Sequence, residues 1–231
     1  MTDAGDEPGF TVVSSTPNFA GRVIQVRTDR LRMPDGTESD REVVVHPGAV
    51  AIVALDEADR VVLVRQFRQP VGRMLDELPA GLLDVDAEPA LTAARRELYE
   101  ETSLRAEQWL VLLDLLSSPG MTDEAMRVYL ARGLTDVGTD DRFAREHEEA
   151  TMTVHRVPLD EARDAVFAGR ITNASAVAGI LACGIARADG FASLRPGDAV
   201  WSDRPQLTPR AATPPSSKGS SSVDEPSADR P

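Results

Sequence analysis

One cysteine in 231 residues leaves no partner for an intrachain disulfide, and Cys183 lies in the apolar run Ile180–Ile185. A thiol in such company is read as core packing rather than as a nucleophile. So sparing a use of cysteine suits a reducing cytosol. Positive charge is short as well. Lys and Arg number 25 against 38 Asp and Glu, a net charge of −13, and the pI is near 4.7. That balance argues against a nucleic-acid backbone as partner, which calls for a basic stripe. No apolar run approaches the roughly 18 residues of a membrane span, and the acidic start, Met1 to Glu7, lacks the hydrophobic region of a signal peptide. There is no internal repeat. The chain is expected to be soluble and cytoplasmic, with neither nucleic acid nor membrane as partner.

What the chain does have is enough apolar content, 42%, to bury one sizeable domain or two small ones. Residues 1–9 are expected to be a flexible start. Residues 10–46 read as a small antiparallel sheet, with strands at 10–14, 22–27 and 41–45 and a turn signal at Pro34, Asp35 and Gly36. A sheet that thin cannot bury both faces alone. Residues 47–204 mix strands and helices. Ala49–Leu55 and Arg60–Phe67 suggest a hairpin around the turn Asp56–Asp59. Further strands are expected at 109–116, 125–131 and 151–157. Asp160 is expected to cap a helix ending at Gly169, and a last helix runs from Ser175 to Ala188. The Pro/Ser-rich segment 205–231 cannot offset its ordering entropy and is expected to be disordered. The fold class is α+β, a mixed sheet with helices packed on it.

The most informative stretch is Glu88–Leu104. If helical, it places Glu97, Glu100 and Glu101 on one face, three and four residues apart. Ala90, Ala94 and Leu98 form an apolar stripe, and Pro89 suits the first turn. Like charges at that spacing repel and destabilise a helix, so the cluster makes sense if a cation sits on it. Hard divalent ions take oxygen ligands and commonly bridge carboxylates to a substrate's phosphates. An ordinary solvated acidic face is the bland alternative.

Written as a pattern, the stretch is E-x7-R-E-L-x-E-E-x-S-L, preceded by Gly81. It resembles the signature of the Nudix hydrolases, G-x5-E-x7-R-E-U-x-E-E-x-G-U with U aliphatic. Two positions depart from it. Six residues rather than five separate Gly81 from Glu88, and Ser103 stands in place of glycine. Arg65, Gln66, Phe67 and Arg68, then Glu77 to Gly81, look like the ADP-ribose pyrophosphatase branch, as does Pro119, sixteen residues after Ser103. The resemblance covers roughly residues 10–200 and implies a Nudix fold, a mixed sheet sandwiched by helices. It also implies a homodimer joined through the N-terminal strands. Its metal ligands would be Glu97, Glu100, Glu101 and the carbonyl of Ala80, holding two or three Mg²⁺ or Mn²⁺ ions. Gly81, Glu88 and Arg96 would be structural parts of the motif, with Arg96 pairing with Glu88.

Metal ligands make poor free bases, so another carboxylate must take the proton of the attacking water. Glu146, Glu148 and Glu149 are the candidates, on a polar stretch between two strands; a solvated acidic loop, with His147 exposed in it, is the alternative. Arg65 and Arg68 are candidate phosphate contacts through charge-assisted hydrogen bonds. Glu77 is a candidate reader of a substrate hydroxyl or ring nitrogen. Asp123 and Glu124 are candidates to line the site or orient the ribose, and Pro119 is a candidate substrate contact, while Trp109 and Phe67 are read as core. The implied activity is hydrolysis of ADP-ribose to AMP and ribose 5-phosphate. The same chemistry on another nucleotide sugar such as GDP-mannose, or a non-catalytic nucleotide-sensing module, are the rivals.

Overall fold

The computed structural model describes residues 9–138 and 151–203. Strands β1 (Thr11–Ala20), β2 (Gln25–Arg32) and β3 (Glu38–Val45) form an antiparallel sheet of their own. The turn at Pro34–Gly36 joins the last two, with Gly36 supplying the left-handed residue (φ +84°). The strands run longer than the apolar pattern suggests, because charged pairs continue the register: Arg30 meets Glu38 at 3.0 Å and Asp40 at 3.2 Å.

Two further sheets follow. One has the order β11-β8-β9-β4-β7, built from Arg195–Pro196, Leu104–Leu116, Ala125–Asp136, Ala49–Ala54 and Ala80–Leu82. The other has the order β10-β5-β6, from Thr153–Pro158, Arg60–Arg68 and Arg73–Glu77. The expected hairpin of β4 and β5 is therefore corrected. Asp56 closes the turn through the Ala58 and Arg60 amides, but beyond the single bridge Leu55–Val61 the two strands go to different sheets. β4 and the first half of β5 are buried on both faces, and a continuous apolar run identifies a strand without identifying its neighbour.

β4 feeds two cores by alternation. Val50, Ile52 and Ala54 face α1 (Ala90–Thr102), where they meet Ala90, Ala93, Ala94 and Leu98. Ala51 and Val53 face α2 (Leu159–Phe167) and α3 (Ala174–Ala186), where they meet Leu159, Ala162, Ile180 and Cys183. Each large aliphatic side chain so buried stabilises the fold by roughly 1.5–3 kcal/mol. Burial pushes the Cys183 thiol up to about 12, which agrees with a packing role.

Helix ends differ in detail from the sequence pattern. Pro89 is the residue just before α1 rather than within its first turn. Pro158, not Asp160, holds the cap position of α2, and Asp160 lies inside the first turn with its carboxylate on Arg163 and Arg187. α3 starts one residue earlier than expected because Asn173 caps it, accepting from the Ala176 amide at 3.0 Å.

Ser103 ends α1 in the left-handed region, φ 57° and ψ 33°, and its amide returns to the Tyr99 carbonyl at 2.8 Å. A side chain there is strained where glycine is not. Ser103→Gly is expected to stabilise the fold by about 1 kcal/mol or less, since glycine also frees the unfolded chain. A urea midpoint that fails to rise would show that the serine is accommodated without strain.

The C-terminal end of the described chain is pinned by a buried cation. Arg127, on β9, is 2% exposed. It donates to Asp114 at 2.7 and 3.1 Å, to the Ala199 carbonyl at 2.6 Å and to the Val200 carbonyl at 3.2 Å. Its guanidinium lies 4.9 Å from the Trp201 ring centroid. Arg195 also reaches Asp114, at 2.9 Å. Residues 195–196 thus pair along the edge of β8, and Ala199 and Trp201 beyond them pack against the α1 core.

Candidate active site

α1 commits Ala90, Ala93, Ala94 and Leu98 to the core, and Glu97, Glu100 and Glu101 continue the stripe of Ala90, Ala93 and Ala94 at three- and four-residue spacing toward the C-terminal end of the helix. Their mutual repulsion is partly met by the chain itself. Arg96 donates to Glu97 at 2.7 Å and to Glu100 at 3.1 Å, and grips Glu88 with two bonds at 3.2 and 3.1 Å. The Glu88 hydrogen bond and then, against the opposing effect of burial, the charge of Glu97 hold the Arg96 guanidinium above its ordinary value. Arg96 therefore pairs with Glu88 as the motif implies.

Glu101 is buried at 5% exposure. Its carboxylate accepts the Ala80 amide at 2.9 Å, which ties α1 to β7. Ala80 and Gly81 are held in turn by antiparallel pairing with Ala51 and Val50 of β4. Gly81 makes the close approach possible. A Cβ there would stand 2.0 Å from both Cδ and Oε1 of Glu97, so only glycine lets that carboxylate lie over the strand. The additional residue between Gly81 and Glu88 is absorbed in a loop where Ala87 takes a left-handed φ of 58°.

The donor set on this face is all carboxylate oxygen, which suits a hard divalent cation. In the side-chain arrangement seen here Glu97 and Glu100 lean on Arg96 and Glu101 on Ala80. Among the described residues no three His, Cys, Asp or Glu side chains converge closely enough to enclose an ion. The chemistry of these donors fits a metal, while Glu97 and Glu100 as placed are engaged by Arg96.

The sheet separates two arginines that the sequence groups together. Val62 packs into the α1 core, as does Val154, which pairs with Val64. Alternation then puts Val64, Gln66 and Arg68 on the α1 face, with Glu77 opposite Val64. Arg68 binds Glu77 there, at 2.7 Å for the shortest contact. Arg65 lies on the other face, paired with Asp76 at 3.1 Å, and His155 stands 3.6 Å from the same carboxylate. Arg68 thus shares a face with α1 and Arg65 does not. Gln66, to which the sequence gives no role beyond the family resemblance, donates to Glu77 at 3.3 Å; its two-residue spacing from Arg68 is the available signal.

Pro119 is exposed on the turn after β8. Glu124 approaches His46 Nδ1 at 3.7 Å, and Asp123 accepts the His46 amide at 2.8 Å, so this loop meets the chain where the N-terminal sheet ends. Trp109 is core, edge-on to Tyr129 at 6.1 Å. Phe67 is not: it is 50% exposed opposite Met74, also exposed, near the tip of the β5–β6 hairpin. That corrects the expectation of a core residue. Glu146, His147, Glu148 and Glu149 lie outside the described residues. On one side of that stretch the Val137 amide bonds the Ser103 carbonyl at 3.0 Å, and on the other Thr153 pairs with Arg65.

Comparison with known proteins agrees with this geometry. The NUDIX domain model matches residues 45–175, and the nucleoside diphosphate sugar hydrolase N-terminal domain model matches residues 10–44. An ADP-ribose pyrophosphatase of Mycobacterium tuberculosis is 49% identical over 86% of this chain and 94% of its own. A methanol dehydrogenase activator of Bacillus methanolicus is 36% identical over 69% of this chain and 84% of its own. A solved structure described as an ADP compounds hydrolase superposes with a TM-score of 0.68, covering 81% of this chain and 99% of the other. At 21% identity that likeness speaks to the fold.

Proposed function

The chain belongs to the NUDIX family, whose hydrolases work with divalent metal ions, and from that premise we propose that it hydrolyses ADP-ribose to AMP and ribose 5-phosphate. The observation that carries the chemistry is the α1 glutamate face, braced by Arg96 and Glu88 and set over Gly81. The substrate rests on the near full-length likeness to the mycobacterial ADP-ribose pyrophosphatase.

In this reading Glu97, Glu100, Glu101 and the Ala80 carbonyl hold two or three Mg²⁺ or Mn²⁺ ions. Such ions, when bound, neutralise the diphosphate and lower the pKa of water. Arg96 and Glu88 keep the glutamates oriented, and Glu101 anchors the Ala80 loop beneath them. Arg68, on the α1 face, contacts the diphosphate; Arg65, on the opposite face, is assigned no part in it. Pro119 and Glu124 lie toward the ribose. The water's proton passes to one of Glu149, Glu148 and Glu146, the carboxylates that the sequence places after β9.

The enzyme is proposed to be a cytoplasmic homodimer. β1 is exposed along its whole length, and Phe10, Val12, Val13, Phe19 and Val23 are exposed around it. Neither core cluster draws a residue from the first three strands. A second copy is the partner proposed to cover that surface. Among the described residues no helix is long and apolar enough to cross a membrane.

The test is purified protein with Mg²⁺ and a panel that includes ADP-ribose and GDP-mannose, with products separated by chromatography. AMP and ribose 5-phosphate are expected from the first. Intact ADP-ribose alongside cleavage of another nucleotide sugar would overturn the substrate. Glu97→Gln and Glu101→Gln are expected to lose activity about tenfold or more; full activity in either would overturn the metal assignment.

A further inference from the structure

Glu77 is a carboxylate with 2% exposure at the end of β6. A buried carboxylate carries a large desolvation cost unless its oxygens are satisfied, and here they are. Arg68 Nε donates to both oxygens, at 3.1 and 3.2 Å, and Arg68 Nη2 donates to Oε2 at 2.7 Å. Gln66 adds a bond to Oε2 at 3.3 Å. Glu77 is therefore turned inward onto protein donors, whereas the Arg68 side chain is 44% exposed. The exposed partner is the one placed to meet a ligand.

The anchor is also rigid. Val64 is directly opposite Glu77 and fully buried, and the next residue, Leu78, is fully buried in the core shared with α3. The Pro79 carbonyl accepts the Ile52 amide at 2.8 Å, and the Ala80 amide is held by Glu101. Two residues separate Glu77 from Ala80, a span within about 10 Å for an extended chain. One short segment thus sets both the arginine and the strand under the glutamate face.

The geometry points to Glu77 as a positioning residue, acting on the substrate only through Arg68, whose guanidinium it fixes for an anionic diphosphate. This rests on the proposed role of Arg68 in the preceding reading. A two-toothed grip orients a planar guanidinium and cannot do the same for an ammonium. It also replaces the expectation that Glu77 itself reads a substrate hydroxyl.

The experiment is a double-mutant cycle on steady-state hydrolysis, with wild type, Glu77→Gln, Arg68→Ala and the pair. The substrate is ADP-ribose, or whichever nucleotide sugar in the panel the wild type cleaves. Glu77→Gln is expected to raise KM about tenfold while kcat changes much less, the mark of lost uniform binding. Glu77→Asp should recover part of that loss. In the Arg68→Ala background Glu77→Gln should add no further loss in kcat/KM. Equal, multiplying losses in both backgrounds would overturn the proposal in favour of a direct or merely structural role. If Glu77→Gln does not fold, Arg68→Lys decides: a KM near that of Arg68→Ala supports the oriented fork, and a wild-type KM overturns it. Wild-type protein that spares ADP-ribose but cleaves another nucleotide sugar removes the substrate reading and leaves this cycle intact.

Discussion

Alanine at Gly81 is expected to lower kcat on ADP-ribose by about a hundredfold while leaving the urea midpoint nearly unchanged, because misplacing a reacting group by about 1 Å can cost that much. The added methyl would lie 2.0 Å from the Glu97 carboxyl carbon, far inside contact distance. What it meets is the outer end of a flexible side chain, and the Gly81 backbone is not in the left-handed region. The fold can therefore yield by moving Glu97 alone. That movement takes the carboxylate off its 2.7 Å bond to Arg96 and out of the face shared with Glu100 and Glu101. Activity near wild type would mean that the position of Glu97 over β7 is immaterial. A large drop in stability with lost activity would mean that the strand, not the glutamate, had given way.

Replacing Arg127 by methionine is expected to destabilise the protein by about 3–5 kcal/mol, the range seen when one member of a buried pair is removed. Methionine keeps an unbranched apolar stem but ends short of the guanidinium, so the loss combines the charge, its hydrogen bonds and the space the guanidinium filled. Asp114 would retain only Arg195, and the Ala199 and Val200 carbonyls would lose their donor. For a domain of this size the unfolding temperature should fall by roughly 10 °C. A shift under about 1 kcal/mol in urea unfolding would show that water replaces the arginine without penalty. The acid limb should respond too. Burial alone would raise the Asp114 carboxyl, but hydrogen bonds from Arg127 and then Arg195 outweigh it and hold it below its ordinary 3.8. A carboxyl so lowered stabilises the fold fully above its unfolded value, and the contribution is lost as pH falls through the folded one. Arg127→Met should therefore flatten the stability profile below about pH 4.

Much of the candidate site was legible before any fold was known. The spacing of Glu97, Glu100 and Glu101 defines a helix face, and Glu88 and Arg96 fall at positions that a helix and its preceding loop bring together. Local periodicity carries such information because helical neighbours are set by the chain itself. The conformation at Ser103 was legible for the same reason: the motif ends there, and the exit turn demands a left-handed residue. Partners across the sheets were not legible. β4 and β5 adjoin in sequence and look like a hairpin, yet their apolar runs are buried on both faces and each strand takes its neighbours from elsewhere. Phe67 reads as core from its type alone, but it sits exposed near the tip of the β5–β6 hairpin.

By itself the sequence determined the acidic helix face, its brace and the family to which they belong, since each rests on residues within one short stretch. Only the tertiary structure decided that Gly81 is the floor under Glu97, that Arg68 and Arg65 part to opposite faces, and that Glu77 turns inward to hold one of them. It also decided that Arg127 secures the chain beyond β11. These are contacts between segments far apart in sequence, set by strand register and by the need to satisfy every buried charge. No local pattern encodes which distant residue will answer that need.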